Sequence, residues 1–592
     1  MKKALRKHFS LAATAFTLGS VLVAPTTTLV SAQEESEDGV LNFETAVTHE
    51  GEAIEGGTLR YALVGDPFAG VLNNLLYTGN PDASIIGFFN EGLYGYDSSF
   101  AIDNSGFADI EFDVDNKQVT ISIPEGTSWD DGEPLTIDDV IFPYYVVGHP
   151  DYTGVRYGSD FENVVGMAEY HAGEAEEISG LERIDDYTLR VTYINFNNSM
   201  LQAGGGVSSY VEPEHILGEV PVAELEDHEA VRTNPVGFGP FRVTSITPGE
   251  AVTYEANEYY YKGQPNIDNL VLEVVNATSI VAELKAGNYD LATLPADQYD
   301  TYKDATNFSV IGQISNAYTY IGFKQGSWDA EAGEVVPDDS KVTSSKALRQ
   351  AMAYAIDNDA VGAEFYSGLR QNANSLITPN FEAYHNFDQE AYTYNPEKAK
   401  EILAEAGFVD NDGDGFVEDL NGEPFTLGFA SMSGGEVAEP LAQYYIQMWG
   451  EIGVSVELVD GQLMEFNSFY DRVEADDPAI DIYQGAWGTG GDPNPTGLYG
   501  RTSAFNYPRF ASDEHDALLE AINSDDSFEE EFRVNAFNEW QAYVHEELPV
   551  VPTLFRYELV AVNKRVSQYD SEIGSDLDWT QISLTADSPV AE

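Results

Sequence analysis

Two hydrophobic periods divide this chain, and together they restrict it to a layered α/β architecture. In the first half, apolar and polar residues alternate. Ile110, Phe112 and Val114 keep a period of two, as do Val119, Ile121 and Ile123, with Asp115, Asn116 and Lys117 between them as a turn. Residues 241–246 and 252–254 flank Pro248 and Gly249 in the same way, and 189–193 follows a turn at Asp185 and Asp186. In the second half the period lengthens to that of a helix. Ala399, Ile402, Leu403 and Ala406 fall on one face, with Asn395 to cap it, Pro396 at its first position and Gly407 to end it. Leu348, Ala351, Met352 and Ala355 repeat the spacing after Ser344 and Ser345. The spacing also predicts a helix over 439–452 followed by a strand over 454–458.

The N-terminus reads as an address. Lys2, Lys3, Arg6 and Lys7 precede an apolar stretch over 11–24 that is short for a bilayer and is broken by Pro25. Val30, Ser31 and Ala32 are small residues suited to cleavage, so 1–32 is expected to be a secretory signal, with an uncleaved anchor as the alternative. Residues 33–57 are acidic and poor in aromatics, and are expected to be a flexible leader. The chain has no Cys, which excludes disulfides and thiol chemistry. Its formal charge is −73, and losing the four cations of the signal makes it −77. Nucleic acid and anionic lipid are therefore poor partners, and cationic ligands are modestly favoured at low salt. The bland reading of the charge is a solvated surface suited to salty or alkaline surroundings.

Nothing in the sequence marks an enzyme. There is no Gly-x-Ser-x-Gly elbow and no His-Glu-x-x-His, and the nine His are scattered. Residues 488–491 lack the Lys of a phosphate loop. Asp410, Asp412, Asp414 and Glu418, with Gly415 at the sixth position, resemble a calcium loop. The twelfth position is Asn421, which offers no bidentate carboxylate, so any calcium there would be structural.

An ordered set of short motifs runs along the chain. It begins with Trp129-Asp-Asp-Gly-Glu-Pro134 and Asn234-Pro-Val-Gly-Phe-Gly-Pro240. Next come the segment from Asn257 to Asp268 and then Leu348-Arg-Gln-Ala-Met-Ala-Tyr-Ala-Ile-Asp357. The last is Trp487-Gly-Thr-Gly-Gly-Asp-Pro-Asn-Pro495. In this order the set resembles the extracellular solute-binding proteins of family 5, the peptide-binding branch of the receptors that serve ABC importers. The resemblance implies a two-lobed periplasmic-binding-protein-like fold of class II, cluster C type. It has an extra subdomain in lobe I and two hinge crossovers. Lobe I would span 58–317 with the insertion at about 99–205, lobe II 318–555, and 556–592 would return to lobe I and end in a tail. Residues 318–324 and 554–557 look like the crossovers.

The first two motifs read as fold, with Trp129 packed on a core and two Gly and two Pro making a backbone bend. The last reads as ligand site, because residues 479–486 form a strand that runs into a Gly-rich loop. In the family an acidic residue shortly after this Trp binds a peptide's α-ammonium. Asp492 is the candidate here, with no basic neighbour in sequence. It lies five residues after Trp487, where some relatives have the acid at the place of Gly490, and its Asp-Pro pair equally suits a turn-forming Asp. The backbone at Gly485, Ala486 and Gly488, beside Trp487, is expected to pair with an extended peptide. The resemblance thus implies an extracellular or secreted, monomeric receptor that captures oligopeptides and hands them to permease subunits. It needs no cofactor beyond the possible calcium. Without a Cys, the lipid tether that many relatives carry is excluded. An oligosaccharide receptor or a pheromone receptor on the same fold, and more remotely a secreted hydrolase, stay open.

Overall fold

The computed structural model describes residues 43–592, apart from positions 66 and 576. The expected signal and residues 33–42 lie outside the described residues. Residues 43–57, expected as part of a flexible leader, are instead docked. Ala46–Thr48 pairs antiparallel with Gln568–Asp570. The Phe43 ring packs edge-on against Tyr299 at 6.0 Å, and His49 bonds the Val566 carbonyl (2.8 Å) and Ser309 Oγ (2.9 Å). An acidic stretch with a single aromatic is enough to hold when its backbone completes a sheet.

One eleven-stranded mixed sheet organises the molecule. Its strands are β1 (Thr58–Val64), β2 (Phe241–Thr247), β3 (Ala251–Ala256), β4 (Asn269–Val275), β5 (Leu291–Leu294), β6 (Phe308–Phe323), β7 (Arg370–Asn372), β8 (Leu427–Ala430), β9 (Val456–Leu458), β10 (Ile482–Gly488) and β11 (Val550–Asn563). Their order is β9-β8-β10-β6-β11-β5-β1-β4-β3-β2, with β7 on β11. The expected hairpin at Pro248 is β2–β3, which is antiparallel. β6 and β11 are the long central pair. β11 meets β5 through Leu559–Val562 and β7 through Leu554–Arg556, while β6 meets β10 through Ala317–Phe323. The two strands therefore run from one half of the sheet into the other. Their mutual register slips between Ile314 and Tyr318.

A separate four-stranded antiparallel sheet carries the hairpin expected around Asn116, with Asp109–Asp113 paired to Gln118–Ser122. It has its own core of Ile121, Val140, Leu189 and fully buried Trp129. Three of the sequence motifs meet at its base. Trp129 stands edge-on to Phe238 at 5.7 Å, the Asp130 N–H donates to the Gly237 carbonyl (2.9 Å), and Asn257 Nδ2 donates to the Gly239 carbonyl (2.8 Å). A Cβ on Gly237 would sit 1.9 Å from the Phe89 oxygen, so only glycine allows this approach.

The helices follow their caps. Pro396–Ala406 has Asn395 accepting from the Lys398 N–H and Gly407 left-handed at φ +98°, and it buries Ala399 and Leu403. Lys346–Tyr354 is capped by Ser345 and buries Leu348, Ala351 and Met352. Among the described residues no helix is long and apolar enough to cross a membrane.

Candidate functional site

The first element of the site is an unequal strand. β10 is covered along Ile482–Gly488 by β6, but on its other edge β8 reaches only Ile482 and Tyr483. From Gln484 onward that edge has no strand beside it among the described residues. Tyr470 reaches over it, its hydroxyl donating to the Ala486 carbonyl at 3.4 Å. Gly485 is required by β6, since a Cβ there would sit 2.8 Å from the Tyr320 ring. An extended chain laid against this edge would find main-chain groups and little side-chain discrimination.

Aromatics form the wall. Trp487 is half-buried, stacked on Tyr507 at 5.3 Å and edge-on to Phe505 at 5.7 Å. The turn after it is clamped by Asn316, whose carbonyl accepts from the Thr489 N–H (2.8 Å) and whose Nδ2 donates to the Gly490 carbonyl (2.7 Å). Gly488 and Gly490 are exposed.

Asp492 is not a free charge, which corrects the expectation drawn from its sequence neighbours. Its side chain is 16% exposed, and Arg533, only 1% exposed, brings Nη2 to 3.8 Å. Its Oδ1 also accepts from the Asn494 N–H at 3.1 Å. Burial raises its pKa to about 6, with the Arg533 charge working against the rise. Arg533 in turn donates to Gln202 Oε1 (3.1 Å) and lies 5.0 Å over the Tyr384 ring. Asp492 thus joins a polar seam between residues 197–202 and 492–533. In that seam Asn494 Nδ2 donates to Ser199 Oγ (3.1 Å), and Asn198 Nδ2 donates to the Ser527 carbonyl (3.1 Å).

Of the four acidic residues expected to hold calcium, Asp410, Asp412 and Glu418 bring one oxygen each within 4.8 Å of one another, and Asp414 is outside that group. Asp410 accepts the N–H groups of Gly413 (2.6 Å) and Gly415 (3.0 Å), and Glu418 accepts that of Asn411 (2.8 Å). Asn421, at the twelfth position, turns to Asp419 instead. A cavity of about 590 Å³ opens elsewhere, between Phe142, Tyr145, Tyr170 and Val220 of the four-stranded subdomain. It shares no residue with the β10 edge.

Sequence reasoning found the strand, its glycines and Trp487. It missed Asn316, Tyr470, Tyr507 and Arg533, which reach the site from distant segments. One signal was available. In a chain with 28 basic and 101 acidic residues, an Arg among Glu530, Glu531 and Phe532 invites the question of what it faces.

The chain is similar to known proteins over most of its length. The family model of bacterial extracellular solute-binding proteins, family 5, matches residues 107–508. The oligopeptide-binding protein OppA of Lactococcus lactis subsp. cremoris (strain SK11) is 31% identical over 504 residues, 84% of each chain. The oligopeptide-binding protein AppA of Bacillus subtilis (strain 168) is 28% identical over 479 residues, 80% of this chain and 82% of that one. The solved structure of lactococcal OppA, complexed with an endogenous peptide in the closed conformation, superposes with a TM-score of 0.83 at 30% identity. It covers 89% of this chain and 100% of that one. The fold is the two-lobed α/β binding-protein architecture that the motifs implied.

Proposed function

Because the chain belongs to the bacterial extracellular solute-binding proteins of family 5, we propose that it is the oligopeptide receptor of an ABC importer. The observation that carries this reading is the likeness to lactococcal OppA, a peptide-bound structure, across nearly the whole chain. The uncovered β10 edge supports it. A peptide pairs with the main chain of Ala486 and Gly488, whose groups share the open edge, against the Trp487 wall. The lobes, divided near 318 and 556, then close about β6 and β11 at their register slip, and the closed form is handed to the permease. The receptor works outside the membrane, and with no Cys it carries no thioether lipid.

Native purification, denaturation and mass spectrometry of the released ligands tests this. Short peptides of mixed sequence are the expected result. Oligosaccharides would keep the fold and overturn the substrate.

In this reading Asp492 belongs to Arg533 rather than to a peptide's ammonium. N-acetylating a bound peptide is therefore expected to change its Kd by less than about threefold, since a lost charged hydrogen bond costs tenfold or more. A loss of that larger size, absent in Asp492→Asn, would return the carboxylate to the ligand.

The acidic loop is read as a structural calcium position held by Asp410, Asp412 and Glu418. Calcium is expected to raise the melting temperature without altering peptide affinity, and Asp412→Asn to abolish the rise. An unchanged melting temperature removes the metal from the account.

A further inference from the structure

One helix of the four-stranded subdomain has two apolar stripes and only one core to bury them in. Ile137–Val147 opens on Thr136, whose side chain accepts the Asp138 N–H and which forms a capping box with Asp139. Its inner stripe of Ile137, Val140, Tyr144 and Val147 is buried in the subdomain core. A second stripe of Ile141, Phe142 and Tyr145 continues to His149 just past the helix, and it is only half-buried. That stripe lines the cavity of about 590 Å³. Small-molecule sites span roughly 300–1,000 Å³.

The facing wall is held by an irregularity of the same helix. Pro143 has no N–H, so the Asp139 carbonyl one turn back lacks its helical donor. It accepts the Glu212 N–H instead (3.1 Å), and Asp139 Oδ1 accepts the Glu214 N–H (3.0 Å). These bonds anchor the start of the segment that brings Glu214, Glu219 and Val220 to the cavity. Tyr170 closes one side. Its hydroxyl donates to the Tyr145 carbonyl (3.4 Å), and its ring stands at 86° to Tyr145 (5.3 Å) and at 74° to His149 (6.4 Å).

The charges point to the ligand. No lysine or arginine lines the cavity, while the carboxylates of Asp138, Glu214 and Glu219 do. Asp138 is ion-paired with Arg183 (2.9 Å), and among the described residues no ion pair engages Glu214 or Glu219. The carboxylates close enough to share a metal ion lie in the loop at Asp410, not here. Aromatic faces set at right angles attract a weakly hydrated, alkylated ammonium through their quadrupoles. A chain charged at −73 gathers such cations from solution.

We infer that this cavity is a second ligand site, apart from the peptide edge, and that it takes an alkylated ammonium ion. Phe142, Tyr145 and Tyr170 receive the alkyl groups, and Glu214 and Glu219 balance the charge. The site does not depend on what the cleft between the lobes binds.

The test titrates the full chain with choline and with 3,3-dimethylbutan-1-ol, which has carbon in place of the charged nitrogen. Ligand-observed NMR at constant ionic strength is expected to show choline binding at least about tenfold more tightly than the alcohol. Tyr170→Leu should weaken choline by about tenfold, while Tyr170→Phe, which keeps the ring, should stay within about threefold of the wild type. Glu214→Gln combined with Glu219→Gln alters two exposed side chains and leaves the core alone, so it tests the site even if Tyr170→Leu does not fold. It should cost choline about three- to tenfold. Equal binding of choline and the alcohol by the wild type overturns the site. Choline affinity that is unchanged in the double glutamine variant also overturns it, because it marks a counter-ion gathered by the acidic surface as a whole.

Discussion

Replacing Asp476 by alanine is expected to destabilise the folded chain by about 3–5 kcal/mol at neutral pH, read as a lowered urea midpoint. The reason is the company it keeps. Asp476 accepts from Lys324 Nζ and from Arg509 Nε (2.8 Å), and these cations are 2% and 1% exposed. Its other oxygen accepts the Trp328 N–H at 2.7 Å. Removing the carboxylate leaves two buried cations without a counter-charge. Alanine also inherits a backbone at φ +53°, which adds about 1 kcal/mol of strain. Asp476→Asn separates the terms, since it tolerates that backbone and can still accept from Trp328 while losing the charge.

The pH dependence has a definite sign. Burial by itself would raise the Asp476 pKa, but Lys324 and Arg509 outweigh it and hold the carboxyl below its ordinary 3.8. A depressed folded pKa means stability that is present above 3.8 and lost as pH falls through the folded value. The gap between wild type and Asp476→Ala should therefore narrow in acid below that range. Lys324, which burial pushes down to about 8 against the pull of Asp476, is charged at pH 7 in the wild type, and removing the carboxylate takes away what holds that charge in place. The site should register the change too. Lys324 Nζ also donates to the Tyr507 carbonyl (2.9 Å), and Tyr507 is the ring on which Trp487 stacks.

That chain of contacts explains what the sequence could and could not disclose. The helix at Pro396 and the hairpin at Pro248 are set by caps, turns and period, all within a dozen residues. The motif glycines are legible for a related reason: Gly237 and Gly485 exist because another backbone or ring comes too close for a Cβ. What fills that space is not legible. Nothing near Asp492 in sequence announces Arg533. That pairing is decided by a polar seam between distant segments, which is a property of the whole fold. The docking of residues 43–49 escaped for the opposite reason. Its composition is that of a disordered leader, and its order comes from one strand pairing, one ring and one histidine. In the acidic loop, alternate spacing places carboxylates near one another, and the fold brings three of the four together.

The polar seam gives the second large effect. A Cβ on Gly491 would sit 2.7 Å from the Ala203 carbonyl oxygen and 2.9 Å from Phe100 Cδ1. Its backbone is not left-handed, so alanine there adds bulk without local strain. The obstruction falls between residues 197–203 and the loop after β10, where Asn494 meets Ser199 and Arg533 meets Gln202. Phe100 also packs on Phe381 at 5.2 Å across the same seam. In the proposed mechanism these contacts exist only when the lobes are closed. Overpacking of about 1–3 kcal/mol would then burden the closed state alone. Apparent affinity falls with the fraction of binding-competent molecules, so Gly491→Ala is expected to weaken peptide binding by about 10- to 100-fold. The folding transition of the ligand-free protein should move little. Small-angle scattering at saturating peptide should find the variant more extended than the wild type. Gly497→Ala serves as the control, because a Cβ there meets nothing within 4 Å. Unchanged affinity in Gly491→Ala, with a compact liganded form, would mean that the seam yields without cost. Binding would then not require this closure, and the β10 edge would have to hold its ligand in an open cleft.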